Sequence, residues 1–322
     1  MTTTMKKKLV LHTFPPVPNS YSFTPFGLKT ESFLRINKIP YEKCYTTSFG
    51  ENGTIPYLRI FDGDQDIIKS DHFEEISDSN QIIARFLKDS DFDTSQCEEN
   101  LTKEQKAISH SCLRMLEEHT SQTGFYYRYN RHMPTFCEAT QLRERAFMGD
   151  TSGIGNFIFR IISKGMVKGW EKKAKVRGFM RYSSPDVVWA MACEDLQALE
   201  DLLASTQDQN YFFGRSHPGV LDCTVFGHLS QFLYIAMDFP QKIYLNENCP
   251  RLLRFMEHFK RTHFPDWETL CERQPNVGLD PDSPKMQALQ KKMKRMALRA
   301  VTVVVAVGAV AYHTLRTPSS RQ

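Results

Sequence analysis

"NGTIPYLRIFDG", residues Asn52–Gly63, places a proline directly before a β-rich run. Proline cannot donate a ladder hydrogen bond, so a sheet accepts Pro56 only at a strand's first residue, at an edge or at a bulge. An Ile-Pro bond is also one of the few that adopts the cis form. Tyr57-Leu58-Arg59-Ile60-Phe61 follows, and Asp62-Gly63 closes it with a turn signal. The stretch predicts a strand that opens behind a proline, and its neighbours decide which fold uses such a strand.

Upstream, Lys7–Phe14 reads as a strand and "PPVPNSYSFT" as a proline-rich loop. Thr24-Pro25 then opens a helix, with threonine as N-cap and proline at the first helical position. Phe26, Phe33, Leu34 and Ile36 lie near one face of that helix, and Pro40 ends it. "YEKCYTT" is a second strand, which makes the opening a β-α-β unit, parallel and right-handed by default. Downstream of the Pro56 strand a fourth strand falls on either "DIIK" or "FEEI". "SDSNQIIARFL" then begins a helix capped by Ser77 or Asp78, with Ile82, Ile83, Phe86 and Leu87 as its apolar stripe.

From Leu101 the periodicity is helical. Thr102 caps a segment with Ile108, Cys112, Met115 and Leu116 as its core face. "SSPDVVWAMACEDLQALEDLLAS" carries Val188, Met191, Leu196, Leu199, Leu202 and Leu203 at helical spacing. "PGVLDCTVFGHLSQFLYIAM" is apolar on most sides and reads as a central buried helix. "CPRLLRFMEHFKRTHF" is the last clear helix, and "ERQPNVGLDPDSPK" is a polar, proline-punctuated linker.

The chain has 322 residues, 41% hydrophobic and 24% charged, an ordinary globular balance. A net charge of +4 argues against nucleic acid as a main partner. The eight cysteines are scattered without a C-x-x-C pair, which points to reduced thiols facing the cytosol and away from a disulfide framework or a zinc site. The histidine spacings match no metal motif, so no metal is expected. "MTTTMKKKLVLHTF" has a basic start, but its apolar run is too short for a secretory signal.

The end of the sequence differs. "KKMKRMALRAVTVVVAVGAVAYHTLRTPSSRQ" sets a Val/Ala-rich run between basic flanks. Counted from Met296 it reaches across a thin bilayer, with Arg299 snorkelling to the headgroups. The expectation is a transmembrane tail anchor, inserted after translation, with the rest of the protein in the cytosol. Short, moderately apolar, basic-flanked tails suit the mitochondrial outer membrane, with the endoplasmic reticulum left open. The competing reading is a buried valine-rich strand. The expected organisation is an α/β domain over 7–90, a helical domain over 101–270, a linker over 271–295 and the tail over 296–315. "SKGMVKGWEKKAKVRGFMRY" is a basic segment with a tryptophan, readable as a solvated helix or as a face for an anionic membrane surface.

A β-α-β-(Pro)β-β-α unit followed by a helical domain resembles the glutathione transferase superfamily. Thr24-Pro25-Phe26 sits where that superfamily places its catalytic Ser, Cys or Tyr loop. Ile55-Pro56 looks like its cis proline, and Asp78-Ser79 matches its acidic/Ser pair at the next helix start. "PGVLDCTVFGHL" looks like its buried capping helix, with Gly219 where Ser or Thr is usual. "SFTPFGLKTESFLRINKIPYE", "DSNQIIARFL", "LTKEQKAISHSCLRMLEEH" and "VLDCTVFGHLSQ" resemble the failed-axon-connections and metaxin-like branch, over roughly Leu9 to Glu268.

The resemblance implies a thioredoxin-like α/β N-terminal domain, an all-α glutathione-transferase-like C-terminal domain and the C-terminal transmembrane helix. It implies glutathione as ligand: the Ile55 backbone pairing with the tripeptide, the start of the Asp78–Ser79 helix holding its γ-glutamyl carboxylate, and Asp78 suiting its ammonium group. Thr24 is the candidate hydroxyl for stabilising the thiolate, with Ser22 and Tyr21 behind it; the plain alternative is that Thr24 only caps its helix. Gly27 stands where some relatives carry cysteine, which argues against thiol redox chemistry. Metaxin-like relatives imply binding or assembly, with protein partners or a dimer, at an organelle's cytosolic face. The alternative is a membrane-bound transferase that conjugates glutathione to electrophiles.

Overall fold

Pro56 does stand at the mouth of a strand. In the computed structural model, which describes residues 7–22, 24–63, 72–89, 91–98, 101–146, 153–205 and 210–272, the Ile55–Pro56 peptide is cis and the strand begins at Tyr57. The N-terminal part runs β1 (Lys8–Thr13), α1 (Pro25–Ile36), β2 (Glu42–Tyr45), β3 (Tyr57–Phe61), β4 (Glu74–Ser77) and α2 (Ser79–Lys88). The sheet order is β2-β1-β3-β4. β1 and β2 are parallel, whereas β3 is antiparallel to both of its neighbours, pairing Tyr57 with His12 and with Ser77. The fourth strand takes the "FEEI" register. The "DIIK" stretch lies outside the described residues.

The register sets one edge of the sheet apart. The ends of β1 and β4, the start of β3 and the N-termini of α1 and α2 all gather there. Gly27 helps to close it, because a side chain at that position would meet Thr13 Oγ1 at the end of β1.

Short α3 (Ser95–Glu98) leads into the helical part. α4 (Lys103–Met115) starts from a capping box in which Thr102 and Gln105 satisfy each other's backbone N–H groups. It continues through a π-helical turn (Leu116–Thr120), α5 (Ser121–Phe125), a second π-helical turn (Tyr126–Arg131), α6 (Met133–Thr140) and α7 (Leu142–Ala146). Then come α8 (Gly153–Val176), α9 (Asp186–Ala204), α10 (Val220–Leu233), α11 (Pro240–Asn248), α12 (Pro250–His263) and α13 (Trp267–Glu272).

α10 is the expected central helix: every residue from Val220 to Phe232 is buried. Asp222 caps it, accepting from the Gly219 amide at 2.8 Å and the Phe212 amide at 2.9 Å. Glycine suits position 219, because a Cβ there would lie 2.7 Å from the Cys97 carbonyl oxygen. α10 packs along α1, and Gly227 makes the approach close: a Cβ there would lie 2.8 Å from both the Lys29 nitrogen and the Pro25 carbonyl oxygen. One apolar core runs from Leu11 and Leu58 under the sheet to Phe226, Phe255 and Trp267 among the helices.

The chain divides into two units, Met1–Val277 and Gly278–Gln322, and every described residue belongs to the first. The expected linker and tail lie almost wholly outside the described residues. Among the described residues no helix is long and apolar enough to cross a membrane.

Candidate functional site

Thr24, Ile55, Pro56, Asp78 and Ser79 lie at the edge where the two helix N-termini gather, whereas the Tyr21 hydroxyl is taken up elsewhere, donating to Glu31 at 2.9 Å and accepting from Lys43 at 2.6 Å. Thr24 occupies the N-cap position of α1 with extended backbone angles, but its side chain makes no cap hydrogen bond. Its Oγ1 is buried without a hydrogen-bond partner, and Ser22 Oγ accepts the Thr24 amide instead, at 3.1 Å. Helix capping therefore does not account for this hydroxyl.

Ile55 is buried, and its backbone N–H and C=O make no backbone hydrogen bond to another described residue. The Pro56 carbonyl is engaged, accepting from the Asp78 amide at 3.2 Å. Asp78 has φ 77° and ψ 136°, a conformation that non-glycine residues rarely adopt and that clusters at ligand clamps. Its carboxylate caps α2, accepting from the Asn80 amide at 2.8 Å and the Gln81 amide at 3.4 Å. Ser79, next along, is fully buried, and its hydroxyl has no partner. As the first residue of α2 it also carries an amide that the helix itself does not satisfy. The start of α2 thus carries an amide free of the helix and a buried, unpartnered hydroxyl side by side.

Beneath this rim lies an ion pair that the sequence did not disclose. Lys29 and Glu117 are 0% and 4% exposed, and their Nζ and Oε1 atoms are 2.5 Å apart. Asn80 completes the set: Lys29 Nζ donates to its Oδ1 at 2.6 Å, and its Nδ2 donates to Glu117 Oε2 at 3.0 Å. Burial pushes the Glu117 carboxyl up, but the Lys29 ammonium and Asn80 outweigh it and hold the group below the usual carboxylate range. α1, α2 and the helical domain are thereby joined directly behind Ser79. A lysine on a helix that also holds Glu31 and Arg35 carries no sequence signal of such a role, and Glu117 sits in a run of charged residues that reads as solvated.

A second buried cation lies deeper. Arg128 is 1% exposed, and its guanidinium carbon lies 4.6–4.9 Å from the ring centroids of Phe125, Tyr129 and Phe136. Nη1 donates to Gln231 Oε1 at 3.2 Å, and Gln231 in turn donates to the Ser22 carbonyl at 3.0 Å. A small cavity is lined by Arg128, Gln231, His228 and Phe232 among others. The "GFYYRYN" stretch thus serves partly as core and partly at the domain interface, where Phe125 meets Phe26. His228 is only half satisfied: Nδ1 pairs with the Thr224 carbonyl at 2.8 Å, while Nε2 is buried without a partner. Burial and the nearby Lys29 push it down to about 4, so it is neutral at pH 7. No cluster of metal-ligating side chains occurs among the described residues.

Comparison with known proteins agrees with this architecture. The family model described as Glutathione S-transferase N-terminal domain matches residues 25–133, and that of the C-terminal domain matches residues 192–259. Failed axon connections of Drosophila melanogaster is 27% identical over 295 residues, covering 90% of this chain. The match spans 65% of that protein's own length. Among solved structures, the β-etherase LigF of Sphingobium has a TM-score of 0.50 at 14% identity, covering 82% of this chain and 99% of that one. A glutathione transferase family member of Pseudomonas fluorescens, solved with two glutathione bound, has a TM-score of 0.46 at 13% identity, covering 82% of this chain and 92% of that one. The chain belongs to the glutathione transferase superfamily, on the branch that includes Failed axon connections.

Proposed function

We propose that this protein binds glutathione or a similar γ-glutamyl thiol at the sheet edge, and that it works by binding or assembly on a membrane's cytosolic face. The observation that carries the ligand reading is the fully buried, unpartnered Ser79 hydroxyl at the start of α2. With the Ser79 amide it offers two hydrogen-bond donors to the γ-glutamyl carboxylate. The unpaired Ile55 backbone offers an N–H and a C=O to the peptide part of the same ligand. Asp78 is engaged as a cap, so its role toward the ligand's ammonium group is electrostatic rather than that of an idle acceptor.

Retention on immobilised glutathione tests the reading. Ser79→Ala is expected to weaken binding by roughly ten- to a hundredfold, the worth of a hydrogen bond to a charged group. Failure of the parent chain to bind glutathione removes the proposal.

Catalysis is the second reading, and the free Thr24 hydroxyl favours it. That group is placed to donate to a sulfur and stabilise a thiolate, which makes a bound thiol nucleophilic at neutral pH. Conjugation of chlorodinitrobenzene that disappears in folded Thr24→Ala would establish it. Absence of conjugation in the parent chain would leave binding alone.

The membrane part of the proposal rests on the Val/Ala-rich run over 296–315 between its basic flanks. The mitochondrial outer membrane is the organelle proposed, ahead of the endoplasmic reticulum. Carbonate extraction of the full chain beside one ending at Pro284 tests the anchor. Equal release of the two sinks it.

A further inference from the structure

The outer face of α8 is predominantly basic. Arg160, Lys164, Lys168, Lys172 and Lys175 are all exposed, and their three- and four-residue spacing puts them on one side of the helix. Met166, Val167 and Trp170 form the opposite side and pack on the core. Ile161 stands among the lysines and is 57% exposed, while Val176 at 81% and Ile162 at 45% face solvent along the flank of the stripe. Gly165 and Gly169 lie on the same flank, with open space where a Cβ would be.

Residues 160–181 hold eight Lys and Arg against a single acid, Glu171, which pairs with Lys175 at 3.1 Å. The segment nets +7 and the whole chain nets +4, so everything else nets −3. Six of the eight basic residues lie on α8 itself and Arg177 and Arg181 follow it, and basic charge of this density calls for an anionic partner. Exposed isoleucine and valine among and beside the lysines call for one with an apolar layer just beneath its charge. A nucleic-acid backbone supplies the first and not the second. An anionic bilayer supplies both: lysine stems lie along the interface with their ammonium groups at the phosphates, and the isoleucines enter the headgroup boundary.

We infer that the outer face of α8 is a docking surface for an anionic lipid bilayer. It would hold the folded part against the membrane, and it rests on the membrane reading above only in bringing the chain to a bilayer. It does not need the tail to insert.

The full chain is mixed with vesicles of phosphatidylcholine alone or of phosphatidylcholine with phosphatidylserine, and the amine-labelling rate of each lysine is read by mass spectrometry. Phosphatidylserine is expected to slow labelling of Lys164, Lys168 and Lys172 at least about fivefold, while Lys103 and Lys106 on α4 stay unchanged. Salt is expected to reverse the protection. The variant Lys164→Glu/Lys168→Glu/Lys172→Glu is read by vesicle sedimentation and is expected to lose the phosphatidylserine-dependent binding. Ile161→Ser/Ile162→Ser is expected to weaken it without altering the salt response.

Equal labelling on the two vesicle types overturns the inference, as does equal protection by RNA at matched phosphate concentration. Carbonate-resistant attachment to pure phosphatidylcholine, with the α8 lysines unprotected on both vesicle types, means that the tail inserts and this surface does not dock. Salt-sensitive protection with no carbonate-resistant fraction means the reverse.

Discussion

Lys29 and Glu117 show how much a single buried residue decides here. Both charges are out of water and are held chiefly by each other and by Asn80, with the half-exposed Arg114 3.6 Å from Glu117 as a weaker partner. Removing one partner leaves an uncompensated buried charge. Lys29→Met is expected to destabilise the fold by about 3–5 kcal/mol in denaturant unfolding. The double variant Lys29→Met/Glu117→Leu is expected to recover most of that loss. A double variant no more stable than the single one would show that packing, and not charge, dominates.

His228 and Asp222 act in opposite directions with pH. The folded state holds His228 at about 4 against an ordinary value of 6.5, so between those values the unfolded chain binds the extra proton. Stability from this residue falls as pH drops from 6.5 to about 4, by an amount on the order of 3 kcal/mol at full extent. Burial raises Asp222 to about 7 from 3.8, so there the folded state holds the extra proton and stability rises as pH falls through the same window. His12 and His263, each pushed down to about 4 mainly by burial, add to the fall. His228→Gln is therefore expected to flatten the acid limb of the stability–pH curve between 6.5 and 4. Parallel curves for parent and variant would contradict the assignment.

At the scale of elements, the contact of α1 with α10 organises both the core and the site. α1 is covered on most sides, so Lys29, Thr30, Glu31 and Ser32 are buried together with Leu28, Phe33 and Leu34. Gly227 is the closest point of that contact. Gly227→Ala places a methyl group against the backbone of Lys29 and Pro25, neither of which can move without shifting the helix. Overpacking of this kind costs about 1–3 kcal/mol, and the backbone partners put this case at the upper end. It is also expected to weaken glutathione binding, because α1 carries Thr24 at the site edge. Unchanged stability and affinity would mean that the helices separate freely.

At the scale of the molecule, two ion pairs among the described residues join the α/β part to the helices, beside the packing of α1 on α10. One is Lys29 with Glu117. The other is Arg35, whose Nη1 and Nη2 reach the two Asp266 oxygens at 2.6 and 2.7 Å, while the buried Glu31 accepts from Lys43 at 2.5 Å and Tyr41 at 2.7 Å. With one continuous apolar core beneath them, the two parts are expected to unfold together. Calorimetry of the protein should show a single transition for the folded unit, with van't Hoff and calorimetric enthalpies in agreement. Two resolved transitions would separate the parts.

Local chemistry was enough to read the order of elements. Pro56 marked the start of β3, Thr102 with Gln105 marked the start of α4, and the unbroken apolar surface of α10 marked the centre, because each signal acts within a few residues of itself. The choice between "DIIK" and "FEEI" needed the sheet, since both are plausible strands and only pairing with β3 selects one. The choice between Ser77 and Asp78 as cap likewise needed the structure: Ser77 pairs with Tyr57 as the last residue of β4, and the Asp78 carboxylate takes the Asn80 and Gln81 amides. The stripe read for α1 was incomplete, because periodicity assumes one buried face and this helix is buried on both. What the sequence alone determined is the fold and its family, through patterns of nearest neighbours along the chain. What only the tertiary structure decided is which polar groups are buried without partners, Ser79 and Thr24 foremost, because a hydroxyl's lack of a partner depends on residues far away in sequence.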